Sequence, residues 1–310
     1  MRFSVYQESH IGGRKNNQDR MGYSFTRDSL LLLLADGMGG HIQGEVAATI
    51  ALQTFASLFQ QQAKPHIKKP EQFLQEGFFA AHREIHRYRA VNKLADTPRT
   101  TLVACLIQHG AAIWAHAGDS RLYWIRDGKV LSRTRDHSRI EVLIAQGKVS
   151  PADRGRHPDR NKLFNCVGAP NMPIVEISRP ATMQMGDVLL LCSDGLWTSL
   201  PEDGMAKQLH DQPLQQVVPV MVRAAAAEGG THSDNVTALA MAWEGAGVST
   251  LEPSTILTSI LPVDSITTSI QAPHHADLEE METLDEYDIE EAIEEIRGAI
   301  EKSSRLISKS

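Results

Sequence analysis

The chain has 310 residues, of which 42% are hydrophobic, 22% charged and 5% aromatic. This composition excludes a disordered or fibrous chain, and the length is sufficient to bury a core without disulfides. The longest apolar runs, such as residues 30–35, are far shorter than the roughly 20 residues that cross a bilayer, so no membrane insertion is predicted. Because the N-terminus also lacks an apolar signal core, we expect a cytoplasmic protein.

The formal net charge of −7 is distributed unevenly along the chain. Residues 246–310 contain 14 Asp or Glu and 4 Lys or Arg, a net charge of −10. Residues 1–245 therefore contain 27 basic and 24 acidic residues, a net charge of +3. This nearly neutral part has no basic stripe, so a nucleic acid partner is not predicted.

Residues 1–245 combine short apolar strands with longer helical stretches. Apolar runs bounded by Gly or Asp predict strands at residues 30–35, 101–108, 111–118, 121–126, 188–193 and 236–243. Helical spacing of apolar residues covers 45–62, 71–92 and 214–228. The tight turns at 118–120 and 127–128 predict antiparallel hairpins. The fold class is therefore α+β, without alternating βαβ units.

Beyond residue 245 the chain changes character. Residues 246–276 are rich in Ser, Thr and Pro and are predicted to form a linker. In residues 277–310 a stripe of isoleucines at helical spacing is opposed by acidic residues, which predicts an acidic amphipathic helix. This C-terminal helix could self-associate, dock on a partner or fold back.

The three cysteines are widely spaced and odd in number, and they match neither a zinc site nor a disulfide framework. Cys105 and Cys192 lie in apolar runs, and Cys166 has no histidine in a recognisable catalytic context beside it. We expect three reduced, buried thiols.

Four aspartates follow or precede apolar strands in Gly, Ser or Asn contexts: Asp36, Asp119, Asp194 and Asp234. Each of them alone is explained as a turn-forming residue. Together, however, carboxylates at the ends of strands can converge on one end of a sheet, and hard oxygen ligands suit Mg²⁺ or Mn²⁺ better than zinc or copper. A glycine beside an aspartate leaves its own backbone carbonyl accessible as an additional ligand.

Eight short motifs in residues 12–241 resemble those of the metal-dependent serine/threonine protein phosphatases of type 2C, in their short bacterial form. They are GRKNNQDR (13–20), ADGMGGH (35–41), TTL (100–102), AGDSR (117–121), RDHS (135–138), HPDRN (157–161), CSDGLW (192–197) and SDNVT (233–237). Eight motifs in this order are specific, whereas a lone Asp-Gly pair is not. The resemblance implies two packed antiparallel β-sheets flanked by α-helices over residues 1–245, to which the C-terminal helix is an extension.

The resemblance also implies a metal centre that holds two Mn²⁺ or Mg²⁺ ions, with a third ion in a weaker site. Asp36 would bridge two ions, and the Gly37 carbonyl would bind one of them. Asp194 and Asp234 would complete the other site, and Asp119 would bind the third ion. A water or hydroxide shared by the two ions would attack the phosphorus in line, without a covalent enzyme intermediate.

Three further roles are implied by the same motifs. Asp19 would hold metal-bound water, and Arg14 would bind the substrate phosphate, since a guanidinium can meet two phosphate oxygens at once. Animal members of the family use a histidine directly after the Asp-Gly pair as general acid, but that position is Met38 here. His41 is therefore a candidate general acid, against a structural or water-positioning role.

Residues 137–173 resemble the family's flap, a mobile segment beside the active site that influences substrate choice. The resemblance implies phosphorylated proteins as substrates and a bacterial Ser/Thr kinase, whose action the phosphatase opposes, as a partner. Two alternatives remain. A catalytically silent interaction module would work through the acidic tail, and its expected mark is the loss of a metal-binding aspartate. The other alternative is hydrolysis of a different phosphoester at the same centre.

Overall fold

Two antiparallel sheets form the centre of the computed structural model, which describes residues 1–38, 43–245 and 267–271. The strands are β1 (Arg2–His10), β2 (Asp19–Phe25), β3 (Ser29–Asp36), β4 (Leu102–Gln108), β5 (Ala111–Ala117), β6 (Arg121–Arg126), β7 (Lys129–Arg133), β8 (Glu176–Ile177), β9 (Ala181–Thr182), β10 (Val188–Cys192), β11 (Val236–Gly245) and β12 (Thr267–Gln271). The five-stranded sheet has the order β1-β11-β10-β6-β7. The seven-stranded sheet has the order β12-β2-β3-β4-β5-β8, and β9 also pairs with β5.

Helices flank the two sheets. They are α1 (Gly44–Gln62), α2 (Pro70–Val91), α3 (Arg139–Ala145), α4 (Asp194–Trp197), α5 (Glu202–Asp211) and α6 (Leu214–Gly229), with 3₁₀ turns at Pro151–Arg156 and Gly230–His232. Helices α1 and α2 pack on the seven-stranded sheet, and α5 and α6 pack on the five-stranded sheet. Among the described helices, none combines the length and the apolar character that a bilayer crossing requires.

Strand β3 consists almost entirely of apolar residues because both of its faces are buried. Successive side chains of a strand point to opposite faces. Leu31 and Leu33 therefore join the core beneath α1 and α2, while Leu32 and Leu34 join the core between the two sheets. Because both faces of the strand are covered, every one of these positions must be apolar.

The predicted fold class, two packed antiparallel sheets with flanking helices, is confirmed. The six predicted strands and three predicted helices are all present, with ends that differ by at most two residues and the strand Arg121–Arg126 exactly as predicted. Strands β1 and β2 are not predicted from the sequence. The residues of β1 are mostly half-buried, so they carry no continuous apolar run that would mark a strand.

The hairpin predicted at residues 118–120 is wrong. Strand β5, before this turn, pairs with β4 in the seven-stranded sheet, whereas β6, after it, pairs with β10 and β7 in the five-stranded sheet. The turn therefore carries the chain from one sheet to the other. A tight turn between two apolar strands has the same local sequence in both cases, so only the tertiary pairing distinguishes them. The hairpin at 127–128 is confirmed, since β6 pairs with β7.

The segment predicted as a linker, 246–276, includes one strand, β12, which pairs with β2. The remainder of that segment and the predicted helix at 277–310 lie outside the described residues. The predicted flap, 137–173, contains α3 and the 3₁₀ turn Pro151–Arg156, so it carries more helical structure than the loop-rich sequence suggested.

Candidate active site

Five aspartates converge at one end of the two sheets. Asp19 is the first residue of β2 and pairs directly with Asp36, the last residue of β3. Asp119 lies in the turn between β5 and β6, Asp194 begins α4 after β10, and Asp234 lies two residues before β11. Each carboxylate is thus placed by the end of a strand, as the sequence predicts for Asp36, Asp119, Asp194 and Asp234; the position of Asp19 at the start of β2 is not predicted.

The five carboxyl groups are close enough for their charges to change one another's pKa values. Burial, followed by repulsion from the other four carboxylates, raises the pKa of Asp36 well above its ordinary value. Burial and the charges of Asp119, Asp234 and Asp19 do the same to the pKa of Asp194. Burial likewise raises the pKa of Asp19 to about 6 and that of Asp119 to about 7. Without bound cations, the clustered aspartates are therefore harder to ionise than ordinary carboxyl groups.

Several oxygens of this cluster lack partners. Both carboxylate oxygens of Asp19 and Oδ1 of Asp194 are buried, and none of them accepts a hydrogen bond from a described residue. An unpartnered buried carboxylate is costly unless it is paired with a cation. Divalent ions such as Mn²⁺ and Mg²⁺ prefer oxygen ligands, so the donor set fits the predicted metal centre.

Glycines allow the ligand-bearing segments to approach closely. A Cβ on Gly37, the residue after Asp36, would collide with the backbone of Gly44 at the start of α1. A Cβ on Gly195, the residue after Asp194, would collide with the Asn235 carbonyl. Only glycine fits at these contacts, which explains the Asp-Gly pairs of the two motifs.

Asn235 connects the loop between β1 and β2 to the Asp234 loop. Its Oδ1 accepts a hydrogen bond from the Gln18 backbone N–H at 2.8 Å. Its Nδ2 donates to the carbonyls of Ile11 at 2.8 Å and Asn16 at 3.1 Å. The side chain thereby holds the segment that carries Arg14 and Asp19 against the segment that carries Asp234.

Thr101 performs a similar function between Asp36 and the Asp119 turn. Its Oγ1 accepts a hydrogen bond from the Asp36 backbone N–H at 3.1 Å and lies 2.6 Å from Ser120 Oγ. Its own backbone N–H donates to the Asp36 carbonyl at 2.8 Å. Thr101 and Asn235 lie within the sequence motifs, but their roles could not be predicted from the sequence because their partners are distant in the chain.

Arg14 lies beside the carboxylates. Its Nη2 donates to Asp234 Oδ2 at 2.7 Å, and its side chain remains 51% exposed. The hydrogen bond and the charge of Asp234 raise its pKa, and the charges of Asp194 and Asp36 act in the same direction. A half-exposed guanidinium at the edge of the carboxylate cluster is well placed to meet an anion that approaches from solvent. His41 lies outside the described residues.

The three cysteines are free and buried, as predicted. Burial raises the pKa of the Cys166 thiol to about 11 and also raises those of Cys105 and Cys192. Since the thiolate is the nucleophilic form, none of these residues is suited to covalent catalysis.

Comparison with known proteins gives a consistent result. The family model described as Protein phosphatase 2C matches residues 6–236. The serine/threonine phosphatase stp of Listeria monocytogenes (serotype 4b, strain F2365) is 31% identical over 229 residues, which are 73% of this chain and 90% of that protein. A serine/threonine phosphatase structure from S. agalactiae has a TM-score of 0.70 and 26% identity, and the match covers 78% of this chain and 100% of that chain.

A second solved structure bears on the metal centre. The catalytic domain of the serine/threonine protein phosphatase PstP in complex with two manganese ions has a TM-score of 0.66 and 27% identity to this chain. The match covers 77% of this chain and 97% of that chain.

Proposed function

The chain belongs to the protein phosphatase 2C family, and from this premise we propose that it hydrolyses phosphoserine and phosphothreonine esters in proteins with the help of divalent metal ions. The observation that carries the proposal is the convergence of five aspartates, with unpartnered buried oxygens on Asp19 and Asp194, beside the exposed guanidinium of Arg14. A silent interaction module is expected to have lost a metal-binding aspartate, and all of them are present.

We propose that Asp36 would be a ligand of two ions, that the Gly37 carbonyl would bind one of them and that Asp194 and Asp234 would complete the other site. Asp119 would bind a weaker third ion. When bound, the ions supply positive charge opposite the phosphoryl oxygens and lower the pKa of the water that they share. The two manganese ions of the PstP catalytic domain support Mn²⁺ as an occupant, and the same oxygen donors also suit Mg²⁺.

Arg14 binds the phosphate of the substrate. Without substrate its guanidinium is paired with Asp234, and both groups are partly exposed, so the pair is weak and exchangeable. A phosphate offers the fork of the guanidinium two oxygens at once, each with a charge-assisted hydrogen bond. Arg14 thereby orients the phosphoryl group over the carboxylate cluster.

Asp19 positions the attacking water. Neither of its two oxygens is satisfied by a hydrogen bond from a described residue, so both can accept hydrogen bonds from water at the cluster. The leaving serine or threonine oxygen needs a proton, and we propose His41 as its donor.

The experiment that tests this function is hydrolysis of a phosphothreonine peptide by the full chain, with and without Mn²⁺. We expect the wild-type protein to release phosphate only with Mn²⁺ and to bind Mn²⁺ in calorimetry. Asp36→Ala should lose both the phosphate release and the Mn²⁺ binding. Asp203→Ala, on the exposed surface of α5, is the matched control and should retain both. A folded Asp36→Ala protein with the wild-type rate would exclude the proposal.

A parallel assay with p-nitrophenyl phosphate separates a protein phosphatase from a general phosphoesterase. We expect a higher kcat/KM for the phosphopeptide, since the loops beside the site can contact only a substrate that extends beyond the phosphate. We also propose that a Ser/Thr kinase produces the physiological substrates. The enzyme is then expected to remove phosphate from the proteins which that kinase has modified.

A further inference from the structure

His137 lies where the predicted flap begins, next to the turn that carries Asp119. Its side chain is buried, with 6% of the residue exposed. Its backbone N–H donates to the Gly118 carbonyl at 2.9 Å, and its carbonyl accepts from the Phe164 N–H at 3.0 Å. The backbone of one residue thus joins the metal-site turn on one side and the returning arm of the flap on the other.

The contacts of the His137 ring determine which nitrogen carries its proton. Asn165 exchanges two hydrogen bonds with the Ile174 backbone, since its Oδ1 accepts at 2.9 Å and its Nδ2 donates at 2.7 Å. These bonds fix the orientation of the amide. The same Nδ2 lies 2.6 Å from His137 Nδ1, and the Gly118 N–H donates to that nitrogen at 3.3 Å. Because both neighbours are donors, Nδ1 is the acceptor and the proton is on Nε2.

The protonated nitrogen has its own partner. His137 Nε2 lies 3.3 Å from Glu176 Oε2, in the first residue of β8 beyond the flap. Burial lowers the pKa of His137, and the neighbouring His116, stacked at 4.5 Å, lowers it further. The neutral ring therefore connects Asn165 and Glu176, on the returning side of the flap, with Gly118.

The turn that receives these bonds has little freedom. Gly118 has φ +117°, a conformation that favours glycine, and a Cβ there would lie 2.6 Å from the Thr101 side chain. On its other side the Asp119 carbonyl accepts a hydrogen bond from Trp197 Nε1 at 3.0 Å. A displacement of Gly118 would therefore move the Asp119 carboxylate and disturb Thr101, which holds Asp36.

The cluster of His116, His137 and Glu176 also has the residue types of a metal site, with candidate ligand atoms within 4.8 Å of one another. Two observations oppose that function. The rings are stacked at 20° to each other, so their in-plane lone pairs do not converge on one ion. The nitrogen of His137 that faces Glu176 carries the proton, and a metal ligand must be deprotonated.

We propose that His137 is a positioning residue that holds both ends of the flap against the Gly118–Asp119 turn, so that the flap and the Asp119 carboxylate adopt their working arrangement together. Only the expected effect of His137 on catalysis rests on the proposed phosphatase function. The connection itself is a property of the fold that can be measured without substrate.

The test compares two substitutions of His137 in the full chain. His137→Leu removes the acceptor at similar volume, whereas His137→Asn keeps an acceptor oxygen close to the position of Nδ1. His210→Leu, on the exposed surface of α5, is the matched control. Hydrogen exchange of the Mn²⁺-loaded protein measures the connection, and the Mn²⁺ concentration for half-maximal peptide hydrolysis measures its catalytic consequence.

For His137→Leu we expect faster exchange in residues 139–176 and also in the Gly118–Asp119 turn. The half-maximal Mn²⁺ concentration should rise about tenfold, the upper range for one lost hydrogen bond. His137→Asn should return both quantities towards wild type, and His210→Leu should change neither. If His137→Leu does not fold, Asn165→Leu removes one donor to Nδ1 and is expected to give the same pattern.

Several results would overturn the proposal. One is a His137→Leu variant with faster hydrogen exchange in the flap but unchanged exchange in the Gly118–Asp119 turn and an unchanged half-maximal Mn²⁺ concentration. His137 would then stabilise only the flap. Nitrogen-15 NMR that places the proton of His137 on Nδ1 is another, as is Zn²⁺ binding that requires His116, His137 and Glu176. A wild-type protein without phosphatase activity but with coupled exchange would contradict the proposed function and leave the connection intact.

Discussion

Asp19 and Asp36 lie directly opposite each other on the antiparallel strands β2 and β3. Like charges at one register position destabilise a sheet, and burial adds to the cost of ionising them. The pKa of Asp19 is raised to about 6 and that of Asp36 well above its ordinary value. Ionisation of both groups therefore lowers the stability of the metal-free protein, and a cation bound at this end of the seven-stranded sheet would offset their repulsion.

The first prediction concerns the stability of the metal-free protein as the pH changes. The folded pKa of Asp19 is above its ordinary value of 3.8, so the folded state binds its proton more tightly than the unfolded state does. Stability from this group is fully present below about pH 4 and is lost as the pH rises through about 6. A shift of this size corresponds to about 3 kcal/mol.

Asp19→Asn should remove this loss. In EDTA we expect the variant to have a higher Tm than wild type at about pH 7, and the difference should shrink towards about pH 4. Differential scanning fluorimetry across this range provides the measurement, with Asp203→Asn as the exposed control. A difference in Tm that does not vary with pH would contradict the assigned cause.

The second prediction concerns Arg14. Arg14→Lys keeps the positive charge but not the planar fork, so we expect KM for a phosphopeptide to rise about tenfold, and further in Arg14→Ala. Because the pair with Asp234 is partly exposed, the free energy of unfolding should change by less than about 1 kcal/mol. Steady-state kinetics and urea denaturation measure the two effects separately, with Arg87→Lys on α2 as the control. Unchanged KM in both Arg14 variants would argue against a phosphate-binding role.

The third prediction concerns the buried ion pair of Arg121 and Asp136. Two hydrogen bonds of 2.7 Å join the guanidinium to the carboxylate, and Arg154 from the predicted flap donates to the same carboxylate at 2.9 Å. Asp136→Leu leaves the buried cation of Arg121 without its main partner, so we expect a loss of about 3–5 kcal/mol in the free energy of unfolding.

Arg27 and Asp28 form an exposed ion pair that serves as the comparison. The same urea titration on Asp28→Leu should show a loss of less than about 1 kcal/mol. Equal losses for the two substitutions would mean that burial does not determine the contribution of the Arg121 pair.

The fourth prediction concerns the thiols. Because Cys105, Cys166 and Cys192 are buried and their pKa values are raised, we expect none to react quickly with Ellman's reagent in the folded protein near neutral pH. All three should react once guanidinium unfolds the chain. Rapid reaction of one thiol in the folded protein would show that its position opens to solvent.

The amino-acid sequence predicts strands, helices and turns correctly where the signal is local. The strand Arg121–Arg126 follows from its apolar run and its flanking turns. The aspartates at strand ends could be identified because turn residues interrupt apolar runs there. The turn at 118–120 was misjudged as a hairpin, because the sequence of a tight turn does not state which sheet the next strand joins.

The amino-acid sequence by itself determined the α+β class, the order of the main strands and helices, the family and the set of candidate ligands, since all of these depend on residue type and short spacing. Only the tertiary structure decided that Arg14 pairs with Asp234, that Asn235 joins two distant loops, and that Asp19 keeps two unpartnered oxygens. Hydrogen bonds and pKa shifts depend on distances of a few ångströms between residues far apart in the chain. Those distances exist only once the two sheets have packed.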